Sequence, residues 1–132
     1  MIKKQIDLTI FGNKYPCIFP NTGNFMDIQI LKAKITENFY DSLKMLERDG
    51  MIASIICDAI AHFSVLIPDL KKDLNVTSFL LLDLDKIIEM SYVYKDTFFP
   101  WFNELMEQVT APKVKPTEEI KDVTTNTTTA SA

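Results

Sequence analysis

The chain has 132 residues, 47% hydrophobic and 24% charged, with 14 basic against 18 acidic side chains and a net charge of −4. That length and balance suit one ordinary globular domain with a modest core. The only adjacent basic pairs are Lys3-Lys4 and Lys71-Lys72, so no surface for tracking phosphates is indicated and nucleic acid is excluded as the expected partner.

The three glycines, Gly12, Gly23 and Gly50, are too dispersed to cradle a nucleotide phosphate. Cys17 and Cys57 lie far apart, one of them inside an apolar run, which reads as two reduced, buried thiols. At the start, Gln5 and Asp7 interrupt the apolar core an export signal needs, so cytosolic synthesis is expected.

Residues 5–11 alternate, with Ile6, Leu8 and Ile10 on one side and Gln5, Asp7 and Thr9 on the other, the period of a half-buried strand. Gly12-Asn13 then supplies a tight loop before residues 15–19, predicting a β-hairpin over 3–19. Two strands must lie on something, and the central apolar helix is one candidate. Pro20-Asn21-Thr22-Gly23-Asn24 is a cluster of turn and cap residues that opens the next element. Residues 25–35 fit a helix better than a strand, although Met26, Ile28 and Ile30 also alternate. Thr36 is placed to cap a second helix over 37–49, with Phe39, Tyr40, Leu43, Met45 and Leu46 on its apolar side and Gly50 as its terminal cap.

The longest apolar run, residues 51–70, is the stretch any fold must bury. It has no Gly or Pro before Pro68, which predicts a helix ending there. At about 100° per residue, Ile52, Ile55, Ile56, Ile60, Phe63, Leu66 and Ile67 share one arc. Ser54, Cys57, Asp58, Ala61 and Ser64 fall opposite, with His62 at the border. A membrane span is not expected, because the run is only about 17 residues long before the proline and carries Asp58 near its centre.

Asp58 and His62 are four apart, with Ser54 one turn earlier, but in that order the carboxylate stands between hydroxyl and imidazole. A catalytic triad needs the imidazole in the middle. As metal ligands, Asp58 and His62 would have to recruit scattered carboxylates or thiols, since His62 is the sole histidine. The pair is therefore read as structural, the Asp supporting a partly exposed imidazole. No catalytic residue, metal or cofactor is expected.

After Pro68, residues 69–75 read as a charged connection, and 75–78 offer caps before 79–82. A helix over 83–94 follows, with Leu84, Ile87, Ile88 and Tyr92 at helical spacing. The last helix, 98–109, takes Pro100 in its tolerant first turn; one long helix kinked at Pro100 is the alternative. It carries the densest aromatic cluster: Phe98, Phe99, Trp101 and Phe102, joined by Leu105 and Met106. These six are either core or anchors for a partner protein. Beyond Thr110 the prolines, threonines and lack of aromatics predict a disordered tail over 111–132. Within that tail Asn126-Thr127-Thr128, like Asn75-Val76-Thr77 earlier, reads as a chance sequon.

The expected fold is mainly α: a single domain over 1–110, with a β-hairpin (3–19) and a helical body (22–110) of four to five helices, then the tail. With the junction Phe19-Pro20-Asn21-Thr22-Gly23 leading into DIQILKAKIT, this layout resembles the tail-assembly chaperones of long-tailed bacteriophages. The resemblance implies a non-enzymatic protein of the host cytoplasm that keeps a hydrophobic helical partner, of tape-measure or tail-tube type, soluble during virion assembly. It also allows homo-oligomers and implies no membrane or nucleic-acid partner. The alternative is a small structural virion component, a connector or tail-completion subunit. An enzyme built on Asp58, His62 and Ser54 or Cys57 is the third and weakest reading.

Overall fold

The computed structural model describes residues 3–114. The chain divides into two units, Met1–Pro100 and Trp101–Ala132. The first unit holds a β-hairpin followed by a helical body. The described part of the second is the remainder of the last helix.

Strands β1 (Gln5–Ile10) and β2 (Asn13–Ile18) pair antiparallel, Gln5 opposite Ile18 through to Ile10 opposite Asn13. The loop is Phe11-Gly12, one residue earlier than the Gly12-Asn13 expected from sequence. Phe11 and Gly12 have φ of 52° and 83°, the paired left-handed geometry that matches the twist of two-residue hairpins. Glycine takes the second of these positions without strain; Phe11 adopts it because Ile10–Asn13 pairing fixes the register. The Phe19 N–H bonds the Lys4 carbonyl, which makes every second pair from there hydrogen-bonded and leaves Pro16, opposite Asp7, at a position that needs no N–H. Leu8, Ile10, Tyr15 and Cys17 form the buried face. That face meets α5 (Leu84–Val93) through β1 rather than the central helix, and the Tyr15 hydroxyl donates to Asp73 at 2.8 Å, tying the hairpin to α4 (Pro68–Asp73).

Helix α1 (Thr22–Thr36) settles residues 25–35 as helical. It starts on a reciprocal cap in which the Asn24 N–H donates to the Asn21 side chain at 2.7 Å and the Asn21 N–H to the Asn24 side chain at 3.3 Å. Its end corrects the expected second helix. Thr36 closes α1 with its hydroxyl on the Lys32 carbonyl, and Glu37 and Asn38 both turn left-handed, φ 52° and 70°. Only the short α2 (Tyr40–Lys44) follows before the central helix α3 (Arg48–Leu66).

Gly50 therefore lies inside α3 rather than capping a helix before it. It is buried, and its missing side chain admits Leu46 and the Leu43 carbonyl.

α3 is the hub of the unit, packed by α1, α2, α4, α5 and the π-helical turn Tyr94–Phe98. Pro68 ends it as expected and occupies the first turn of α4, where its missing N–H costs nothing. The stretch read as a charged connection is thus partly helix, with Leu70 fully buried.

The burial of α3 departs from the two-faced wheel. Ser54, Cys57 and Ala61, on the small face, are buried, whereas Ile52, Ile55 and Ile56 are half-buried. Small side chains let α1 approach closely, so the narrow face buries best; the Cys57 thiol reaches the Lys32 carbonyl at 3.9 Å. By length and composition alone α3 would also cross a membrane, with 44% of its apolar window buried here.

A 3-10 turn, Phe79–Leu81, capped by the Ser78 hydroxyl, leads to α5. The π-helical turn then carries the chain into α6 (Phe99–Val114). In it the Phe99 N–H bonds the Tyr94 carbonyl five residues back. Such a wide turn absorbs the register break imposed by Pro100, which has no N–H to continue the ladder. α6 runs four residues beyond Thr110, so the composition break is not the helix end. The rest of the expected tail, from 115, lies outside the described residues.

Candidate functional site

Two features deserve the name of candidate site: the polar cluster on α3 and the apolar side chains left at the surface. On α3, the Asp58 carboxylate accepts from the Tyr40 hydroxyl at 2.6 Å through Oδ2. Its other oxygen is buried and has no hydrogen bond of good geometry, but the Lys32 ammonium at 3.1 Å neutralises it as an ion pair. Lys32 also lies over the Tyr40 ring, 4.2 Å from its centre. Burial raises the Tyr40 pKa, and the Asp58 carboxylate raises it further. This cluster fastens α1 and α2 to α3 at a point where the chain has just made two left-handed turns.

His62 does not pair with the Asp58 carboxylate, and it is not partly exposed. It is buried, with Nδ1 2.7 Å from the Asp58 backbone carbonyl, an acceptor, so that nitrogen carries the proton. The ring stands in an aromatic cluster, 5.2 Å from Tyr94 and 5.4 Å from Phe98. Burial lowers its pKa, outweighing the Asp58 carbonyl that favours the charged form.

The Ser54 hydroxyl bonds the Met51 carbonyl of its own helix. Burial pushes the Cys57 thiol up to about 11 and the Cys17 thiol up to about 12, so neither is a thiolate at neutral pH. Chemically, these groups hold helices together. Among the described residues no cluster of three or more His, Cys, Asp or Glu side chains is arranged to hold a metal ion.

Two outcomes follow from this geometry. Tyr40→Phe keeps the ring under Lys32 but removes the donor to Asp58, and is expected to cost about 1.5 kcal/mol, read as a lower urea midpoint at unchanged slope. Acid should weaken the fold through His62. Below the unfolded-state pKa of about 6.5 the unfolded chain binds a proton that the folded chain declines, so stability falls with falling pH by up to about 1.4 kcal/mol per unit until the lowered folded-state pKa is reached. Urea midpoints at pH 7 and 5.5 should show that loss, and His62→Gln should flatten it.

The six aromatic-segment residues do not share one environment. Phe98 is fully buried, stacked on Tyr94 at 5.4 Å and edge-on to Phe63 at 5.7 Å. Phe99 is 42% exposed. Phe102 and Leu105 are buried, while Trp101 and Met106 are half-buried.

More apolar surface is open elsewhere in the first unit. On α1, Met26 and Ile30 are both more than half exposed and four apart. Around the break before α3, so are Phe39, Met45, Leu46 and Met51. Leu80, Leu81, Leu84 and Tyr92 are exposed before and along α5. Between α3 and α5 runs a groove with about 90 Å³ of open space, lined by Ile52, Ile55, Ile88, Ser91, Tyr92 and Lys95.

Family models, curated proteins and solved structures each contain no match to this chain. The site must therefore be read from its own chemistry. Sequence reasoning placed Leu84, Ile88 and Tyr92 on α5's core side and so missed the groove. The available signal was that Ile87 and Ile88 cannot both face one neighbour, which makes the apolar arc of α5 wider than a single contact requires.

Proposed function

We propose that this chain is a non-enzymatic binding module that holds a hydrophobic helical protein during virion assembly, as tail-assembly chaperones of long-tailed bacteriophages do. The carrying observation is the amount of large apolar surface left open on the first unit, on α1, before α3 and along α5. Monomeric proteins scatter single exposed apolar residues, but groups of them at helical spacing mark surfaces that other chains cover. The layout of hairpin and helical body supplies the assembly context, and the polar groups of α3 are engaged in holding helices together, which leaves binding as the activity. The chain acts in the host cytoplasm and leaves the partner when the partner is incorporated.

The test is an aggregation assay. A long apolar helical polypeptide, such as a tape-measure fragment, is diluted from urea with and without the full chain, and light scattering is followed. Suppression near equimolar ratio is expected. No suppression at excess, or a fixed copy number of the chain in finished particles, contradicts the proposal, because a chaperone leaves and a structural part stays.

A further inference from the structure

The groove between α3 and α5 has a chemistry that narrows the partner. Leu84, Ile88 and Tyr92 are four apart and form one line along α5. A second line on the same helix, Ile87, Met90 and Tyr94, enters the core. The groove line is left to water at both ends: Leu84 is 66% and Tyr92 57% exposed. Ile52 and Ile55 of α3 form the facing wall. A stripe of that length and spacing, with a wall beside it, is the shape that receives an amphipathic helix through anchors three to four residues apart.

Charge selects which helix. Next to the stripe on α5, Asp85 and Glu89 stand four apart and both are exposed. Lys86 is turned towards the hairpin, 5.0 Å over the Phe11 ring. Lys95, in the lining, is 3.3 Å from Asp96, so these two cancel and leave Asp85 and Glu89 to set the sign of the rim. A symmetric contact between two copies of this stripe would bring those carboxylates against their own copies, which disfavours a second chain as occupant.

The geometry points to the α3/α5 groove as the docking site for a partner's amphipathic helix whose apolar stripe is bordered by lysine or arginine. This rests on the binding-module reading and names the site and partner chemistry for it. The apolar stripe supplies affinity, and the carboxylates supply selection and on-rate.

The experiment uses two labelled synthetic helices of about 18 residues, long enough for five turns, with the same leucine stripe and either lysine or glutamate borders. Fluorescence anisotropy is read on the full chain. The lysine-bordered helix should bind about tenfold or more tightly than the glutamate-bordered one. Leu84→Ser with Tyr92→Ser, both at exposed positions, should weaken it by about tenfold, with the circular dichroism spectrum unchanged. Asp85→Lys with Glu89→Lys should reverse the preference, a result that no loss of folding can produce. Equal affinity for the two helices, or no reversal, overturns the charge selection. Binding indifferent to Leu84 and Tyr92, or none by either helix, overturns the groove. Aggregation suppression, measured separately, distinguishes each of these from failure of the broader reading.

Discussion

Phe98→Ala is expected to cost about 3–5 kcal/mol, a large share of the roughly 5–15 kcal/mol that holds a domain of this size together. The ring is fully buried. It is in contact with three others: Tyr94 stacked, Phe63 edge-on and His62 tilted. Truncation removes the transfer free energy of the ring and leaves a cavity whose walls are themselves rigid rings, so little collapse can recover the loss. Phe99→Ala, one residue on and at a 42% exposed position, should change stability by no more than about 0.5 kcal/mol. Urea denaturation of the two variants checks both. Equal, small effects would mean that Phe98 does not belong to the core.

Gly50→Ala is the second large effect, and its sign is the informative part. In an ordinary helix interior the change stabilises by about 0.5–1 kcal/mol, because glycine loses more backbone entropy on folding. Here the added methyl would overlap the Leu46 Cβ and sit 2.5 Å from the Leu43 carbonyl oxygen. A backbone oxygen cannot rotate away as a side chain can, so α2 and the break after it must lift from α3. The expected result is a net loss of about 1–3 kcal/mol, seen as a lower melting temperature. A stabilised variant would show that this close approach is not kept in solution.

These two positions also mark what the amino-acid sequence could and could not disclose. The hairpin was legible because its alternation and its turn residues agreed; only the loop moved by one, since Ile10–Asn13 pairing outranks the preference for asparagine in the turn. α1 was legible from the Asn21–Asn24 cap, and the end of α3 from Pro68. Residues 37–49 were misread because nothing local announces left-handed Glu37 and Asn38. Their turn is held by tertiary contacts, chiefly Tyr40 and Lys32 on Asp58.

For the same reason Gly50 looked like a cap when it is a packing residue. The wheel of α3 failed in a similar way: periodicity reports which face is greasy, whereas close approach of α1 depends on which face is small. In the candidate site, the Asp58–His62 spacing was visible, but the partners of both side chains come from elsewhere in the fold or from the backbone. The groove escaped notice because Leu84, Ile88 and Tyr92 carry the same letters as core residues, and only their exposure separates them.

Hydrogen exchange of the full chain, free and with the lysine-bordered helix, tests the account most directly. Binding at the groove predicts slowed exchange confined to the first turns of α3, around residues 51–56, and to α5 and the turn after it, around 84–95. Protection confined to residues 101–114, or none at a peptide concentration that saturates the anisotropy signal, would contradict it.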